Sequence, residues 1–340
     1  MNIGVGLIGA GRMGKVFANT LAFAVSEVDL VAVADIDAHA AEEAARRFNA
    51  AACHDDYRHL LDRSDIQAVV IATPTGTHRE IIKAAAAAGK HIFTEKPLAQ
   101  DLAGCDDAIS AVEQAAERSS IKFQVGFMRR FDPAYVMARK KIDEGLIGQP
   151  VMFKATSRDP RRTSLEFARR ENSGGMILDM GVHDFDLARW LMGSEVERVQ
   201  TEGCCTVYPE LKDVGDIDNA VINLRFANDA VGNIDISRNA VYGYDIRTEV
   251  LGSEGGLLIG KWQQTSTLMM TRNGIIHDTV PYFMERFSEA YAEEIRDFVK
   301  CIQQDRQPAV SGKDARAATA IGVAATLSLD EGRPVLLREV

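Results

Sequence analysis

The sequence predicts an α/β protein of two domains: a doubly wound parallel sheet first, then an α+β domain with a large, mostly antiparallel sheet. Three observations predict it. The first third alternates short, near-continuous apolar runs with alanine-rich stretches of helical length, the pattern of parallel strands buried on both faces. Beyond about residue 125 this rhythm gives way to closely spaced β-type runs broken by turn signals. The length of 340 residues suits about two domains at roughly 150 residues each.

In chain order, Ile3–Ile8 (IGVGLI) is a strand and Arg12–Val25 a helix; Leu30–Ala34 (LVAVA) is the next strand and Ala38–Phe48 the next helix. Ala68–Ala72, Ile81–Ala88, His91–Thr94, Leu102–Arg118 and Lys122–Val125 continue the alternation, and right-handed crossovers make the sheet doubly wound. A polar stretch, Arg158–Gly175, precedes a helix at Val182–Met192. Strand candidates follow at Val199–Val207, Ala220–Phe226, Val231–Ser237, Arg247–Leu251, Gly256–Gly260, Thr267–Thr271 and Ile275–Val280. Asn228-Asp229, Ser253-Glu254-Gly255-Gly256 and Asn273-Gly274 supply turns, the last a hairpin signal. Helices at Glu285–Gln304 and Gly312–Glu331 close the chain. These elements place the domains at residues 1–124 and 125–340.

Composition excludes several function classes. Apolar residues are 46% and charged residues 26%, which is globular rather than disordered. Lys plus Arg total 39 against 49 Asp plus Glu, a net charge of −10, so general binding to nucleic acid or to anionic membrane is not expected. Five cysteines without a CxxC pair form neither a disulfide framework nor a zinc site, and no metal is expected. With no long apolar span and no signal-like N-terminus, the expected location is the cytoplasm.

Gly9-Ala10-Gly11-Arg12-Met13-Gly14 follows the first strand and opens the first helix. In such a loop the first Gly makes the tight turn, the second admits a pyrophosphate, and the third allows close helix–strand packing. The helix N-terminus offers N–H donors to the phosphates. Asp35 ends the second strand, 21 residues after Gly14, where a carboxylate accepts ribose hydroxyls and repels a 2′-phosphate. The expected cofactor is therefore NAD; Arg12, reaching toward a phosphate, leaves NADP as the alternative. Thr73, just past the Ala68–Ala72 run, and Glu95 and Lys96, just past His91–Thr94, complete the cofactor-binding set, because ligands gather at the carboxyl ends of parallel strands.

Thr94-Glu95-Lys96-Pro97 also brings chemistry: Lys96 can hydrogen-bond a reacting hydroxyl and stabilise its alkoxide. The alternative is an exposed loop lysine. In Asp179-Met180-Gly181-Val182-His183-Asp184-Phe185-Asp186, helical spacing puts Asp179, His183 and Asp186 on one face. A carboxylate one turn from an imidazole orients it as a general base. The competing reading makes Asp179 an N-cap and the rest a solvated helix face.

The glycine fingerprint, the Glu95-Lys96-Pro97 loop and the Asp179-x-x-x-His183-x-x-Asp186 helix, in that order, resemble the glucose–fructose oxidoreductase and inositol dehydrogenase family (Gfo/Idh/MocA) over essentially the whole chain. The resemblance implies an NAD(P)-binding Rossmann domain, then a domain with a large open sheet through which dimers or tetramers form; a homotetramer is expected here. Val125-Gly126-Phe127-Met128-Arg129-Arg130-Phe131-Asp132-Pro133, Tyr242-Gly243-Tyr244-Asp245 and Arg286-Phe287-Ser288-Glu289-Ala290-Tyr291 look like the inositol 2-dehydrogenase branch. It implies Lys96, Asp179 and His183 as the catalytic trio. His183 takes the hydroxyl proton while hydride leaves for the nicotinamide, Lys96 stabilises the alkoxide, and Asp179 orients His183. Arg129, Asp159, Tyr244 and Asp186 are the implied polyol contacts, each with a structural alternative such as an Arg129–acid pair.

One segment departs from that pattern. Ser157 and Asp159 stand where many myo-inositol members carry His and Asn. A carboxylate only accepts hydrogen bonds, so the preferred ring stereochemistry is open between myo-, scyllo- and chiro-inositol and an aldose pyranose. Two further classes compete: a glycosidase that uses bound NAD transiently, and a dinucleotide sensor without turnover.

Overall fold

The computed structural model describes residues 2–261 and 263–340. In chain order the elements are β1 (Ile3–Ile8), α1 (Arg12–Asn19), β2 (Val28–Ala34), α2 (Ala38–Arg47), β3 (Ala52–His54), α3 (Arg58–Leu61), β4 (Ala68–Ile71), α4 (Thr75–Ala87), β5 (His91–Glu95), α5 (Leu102–Ala116) and β6 (Phe123–Gly126). Then come α6 (Pro133–Asp143), β7 (Pro150–Arg158), α7 (Leu165–Ala168), α8 (Arg170–Ser173), α9 (Gly175–Met192), β8 (Val196–Cys204), β9 (Asn219–Phe226), β10 (Val231–Ser237), β11 (Asp245–Gly252) and β12 (Gly256–Gly260). The chain ends with β13 (Gln263–Thr271), β14 (Gly274–Thr279), α10 (Phe283–Gln303), α11 (Gly312–Glu331) and β15 (Val335–Leu336). Two compact units result: Met1–Met128 with Glu289–Thr319, and Arg129–Ser288 with Ala320–Val340.

The first unit is a six-stranded parallel sheet in the order β3-β2-β1-β4-β5-β6. Every residue of β1 and β4 is buried, which explains why these strands read as unbroken apolar runs. Each large aliphatic side chain so buried contributes about 1.5–3 kcal/mol. Phe298 and Tyr291, from α10, pack edge-on against Phe93 and Phe17, with centroids 5.9 Å apart in both pairs. The helix expected over Arg12–Val25 is α-helical only to Asn19; Thr20–Ala24 widens into a π-turn, with Val25 N–H donating to the Thr20 carbonyl five residues back.

The second unit carries a seven-stranded sheet in the order β12-β11-β7-β10-β9-β8-β15. All pairings are antiparallel except β7 with β10, so the sheet is mixed. β7 sits inside what the sequence left unassigned, and the last two strands, β13 and β14, leave the sheet to pair only with each other. Their hairpin loop is Arg272-Asn273 rather than Asn273-Gly274, because Gly274 pairs with Thr271. The helix expected at Val182 begins at Gly175. Gly174 and Gly175 both take φ of +78°, and Asp216 Oδ1 accepts the Met176 N–H at 2.8 Å. Asp179 is therefore inside α9, not its N-cap.

The loop before β9 is tied by Asp218, whose carboxylate accepts the N–H groups of Thr206, Val207 and Tyr208 at 3.2, 2.6 and 2.8 Å. Burial opposes its charge, but these donors outweigh burial and hold the carboxyl below the ordinary carboxylate value. Among the described residues, no helix is long and apolar enough to cross a membrane.

Candidate active site

The first unit presents its expected residues along one edge. Its strands are all parallel, so Gly9 after β1, Asp35 after β2, Thr73 after β4, and Glu95 and Lys96 at the end of β5 follow the same carboxyl edge. The glycines fit a dinucleotide loop. Gly9 has φ +99°, and a Cβ there would lie 2.6 Å from the Ala72 carbonyl oxygen; a Cβ on Gly14 would lie 1.9 Å from the Gly9 oxygen. Only glycine fits either place. Gly11 is different: nothing lies within 4 Å of its missing Cβ, leaving open space where a pyrophosphate would approach. Gly11 is the N-cap of α1 and has no side chain to cap it, and Arg12 and Met13 are the helix's first two residues.

Asp35 Oδ2 accepts the Ala10 N–H at 2.7 Å and Oδ1 the Asp37 N–H at 2.9 Å. The carboxylate thereby fixes the glycine loop and keeps lone pairs for ribose hydroxyls. Lys96 is half-buried, its peptide bond to Pro97 is cis, and its N–H donates to Glu95 Oε2 at 3.0 Å. Buried His78 spans the two loops, Nδ1 lying 2.9 Å from the Pro97 oxygen and Nε2 2.9 Å from that of Thr73. Burial pushes its pKa down.

Glu294 escaped the sequence reading. It is wholly buried, and its carboxyl oxygens have no hydrogen-bond partner among the described residues. Burial, with the charge of Glu95 added, pushes its pKa well above the usual value.

The second unit also gathers its polar residues at one sheet edge, for a topological reason. The parallel pair β7 and β10 end together, Arg158 opposite Ser237, and their antiparallel neighbours β11 and β9 start there. Asp159, Arg238, Tyr244 and Asp218 are the residues immediately beyond those four ends. Tyr244 is 6% exposed, its ring edge-on to Tyr282 and Phe287. Burial raises its pKa, the charge of Arg129 works against that, and the charges of Asp159 and Asp184 add to it.

Arg129 is committed internally. Its Nη1 donates to Asp184 Oδ1 at 2.6 Å and its Nη2 to Ser157 Oγ at 3.0 Å, all three residues being buried. Burial works against the guanidinium charge, yet Asp184, Tyr244 and Tyr135 outweigh it and raise its pKa. Asp186 is likewise held by Arg130, through contacts of 2.8 and 2.5 Å. The structural alternatives for Arg129 and Asp186 are thus realised as buried ion pairs. Asp132, N-cap of α6, pairs with Arg286 at 2.6 Å, joining two of the branch-like segments.

On α9, His183 is 8% exposed, with Asp184 and Asp186 still more deeply buried. The solvated-face reading of this helix does not hold. Asp179 is partly exposed, one turn before His183, and accepts Arg238 Nη2 at 3.1 Å. Among the described residues, no group of three or more His, Cys, Asp or Glu could hold a metal ion.

Known proteins resemble the chain along nearly its whole length. Residues 3–127 match the oxidoreductase family's NAD-binding Rossmann fold and residues 139–337 its C-terminal alpha/beta domain. The chain is 38% identical to the myo-inositol 2-dehydrogenase of Thermotoga maritima, covering 99% of each chain. It is also 38% identical to the scyllo-inositol 2-dehydrogenase (NAD(+)) of Bacillus subtilis, over 97% of this chain and 95% of that one. The crystal structure of scyllo-inositol dehydrogenase from Lactobacillus casei with bound NAD(H) and scyllo-inositol superposes with a TM-score of 0.94 at 30% identity, covering 99% of this chain and 100% of that one. With its glycine loop, its Lys96 loop and its His183 helix each on a matching domain, the chain belongs to the Gfo/Idh/MocA oxidoreductase family.

Proposed function

We propose that this chain is an NAD-dependent inositol dehydrogenase, oxidising a secondary ring alcohol, with myo-inositol at C2 giving 2-keto-myo-inositol as the first assignment. What supports it is that Asp159 and Tyr244, the residues we assign to the ring hydroxyls, adjoin the β7 and β11 ends at one sheet edge, and that α9, which carries Asp179 and His183, packs on β7 and β10. Full-length likeness to two inositol dehydrogenases supports it.

Gly9, Gly11, Arg12, Met13 and Gly14 would hold the pyrophosphate, Asp35 the ribose, and Thr73, Glu95 and Lys96 the nicotinamide side. Bound NAD supplies the hydride acceptor. His183 takes the hydroxyl proton at a ring nitrogen, Asp179 orients the imidazole, and Lys96 stabilises the forming alkoxide. Asp159 and Tyr244 read the other ring hydroxyls, while Arg129 and Asp186 hold their surroundings through Asp184 and Arg130. A scyllo or chiro isomer is the second reading, favoured by acceptor-only Asp159 and by Ser157, whose hydroxyl is already engaged by Arg129.

The test is NADH formation from NAD with myo-, scyllo- and chiro-inositol, glucose, xylose and a uronate. Fastest oxidation of an inositol is expected. A preference for an aldose or uronate sinks the substrate assignment but keeps the chemistry, and sugar release from a glycoside without net NADH indicates the glycosidase.

The assembly we propose is a homotetramer formed across the open sheet. Val221, Val231, Leu251 and Leu258, which alternate with the buried positions of β9 to β12, are 43, 37, 41 and 73% exposed. Sedimentation should give a particle of four chains; a monomer would reject it.

A further inference from the structure

Arg238 has no place in the chemistry described so far, yet it is among the largest fully buried side chains of the protein, at 1% exposure. It follows directly on β10, and its backbone N–H is anchored on the Asp218 carbonyl at 2.9 Å. Two carboxylates, Asp179 and Asp216, adjoin it, and its Nη2 donates to the first, reaching Asp179 Oδ2 at 3.1 Å. Its Nε and Asp216 Oδ2 are both buried without a hydrogen-bond partner among the described residues. Asp216 spends its other oxygen on the N-terminus of α9. A buried cation is thus aimed at the carboxylate that lies one helical turn from the proposed base.

That arrangement has a consequence for proton transfer. An uncompensated Asp179 beside His183 favours the imidazolium, which cannot accept a proton. A guanidinium on the far side of Asp179 offsets that charge. We propose that Arg238 is a positioning residue for the base: through Asp179 it keeps His183 in its neutral, proton-accepting form across the neutral pH range. This rests on the dehydrogenase reading and on His183 as its base.

Three other acids around α9 are paired with arginines. On α9 itself, Asp184 is paired with Arg129 and Asp186 with Arg130. At the β7 and β11 ends stand Asp159 and Tyr244; on α11, Asp330 pairs with Arg170. Asp216 is the remaining acid, its pKa raised by burial, lowered by Arg238 and raised by Asp179.

The experiment is the pH dependence of kcat/KM with NAD and the inositol oxidised fastest, for the wild type, Arg238→Gln and Arg238→Lys. Losing the cation should move the acid limb up by about one pH unit, a tenfold loss at fixed pH on that limb, with the alkaline plateau largely kept. Arg238→Lys, which retains the charge, should restore the limb. A purely structural role would lower the rate at every pH and leave the limb in place, and that result overturns the proposal. If Arg238→Gln does not fold, the double variant Arg238→Gln with Asp216→Asn removes one buried charge of each sign and should show a smaller upward shift than loss of the cation alone. Asp216→Asn alone, expected to lower the limb, measures the offset; a double variant whose limb stands no higher than that of Asp216→Asn overturns the proposal. His183→Ala separates the two levels: retained turnover there rejects the base itself, whereas lost turnover with an unmoved limb rejects only Arg238.

Discussion

His183→Ala should lower turnover at least ~10²-fold while NAD still binds, the usual loss when a positioned general base is removed. The expectation is specific because the roles are carried on separate elements. The glycine loop, Asp35, Thr73 and Lys96 belong to the first unit, and α9 belongs to the second. A change at His183 therefore removes the proposed proton acceptor and leaves every residue assigned to the dinucleotide unchanged. The side chain is 8% exposed within a helix whose neighbours Asp184 and Asp186 are already spent on arginines, so neither can replace it as base. Stopped-flow and steady-state NADH formation, with NAD binding followed separately by calorimetry, make the measurement. Near-normal turnover with NAD bound would remove His183 from the role, whatever the substrate panel shows.

The first unit was largely legible in the sequence because burial on both faces leaves a strand only apolar residues to use, as in β1 and β4. What escaped there was short: β3 and α3 span three and four residues, too few to show a period. The second unit was harder. β7 lies in the interior of its sheet, yet its buried positions include Ala155 and Ser157, so the alternation of its burial has little apolar contrast in sequence. The early start of α9 depends on Asp216, 40 residues from the N–H it receives, where a local capping signal would have been readable.

The candidate site divides in the same way. Gly9, Gly11, Gly14 and Asp35 announce themselves by spacing, because one turn and two strand ends fix their geometry. Arg129 and Asp186 were visible as charges, but only the fold shows that Asp184 and Arg130 occupy them. Arg238 stands 59 residues from Asp179 and carries no local motif; the parallel pairing of β7 with β10 brings it to that edge.

The second large effect is expected at Asp184, and it concerns stability. Asp184→Ala should cost about 3–5 kcal/mol in denaturant melts, because it strands the Arg129 guanidinium as a buried, uncompensated cation. The geometry leaves Arg129 little recourse: it is 2% exposed, its Nε is buried without a partner among the described residues, and only Ser157 Oγ would remain to it. Burial pushes the Asp184 carboxyl above its ordinary value while Arg129 pulls it back, so the two charges are bound up with each other rather than with solvent. Removing both together should be milder: Arg129→Met with Asp184→Leu replaces the ion pair with apolar groups, and a double-mutant cycle should show strong coupling. The same cycle separates the two readings of Arg129. If it is a support, the double variant recovers most of the lost stability, and KM for the inositol changes less than about threefold, well under the tenfold that 1.4 kcal/mol of lost binding would give. If instead it grips the substrate, KM rises steeply in the well-folded double variant, and the assignment of polyol contacts returns to Arg129 alongside Asp159 and Tyr244.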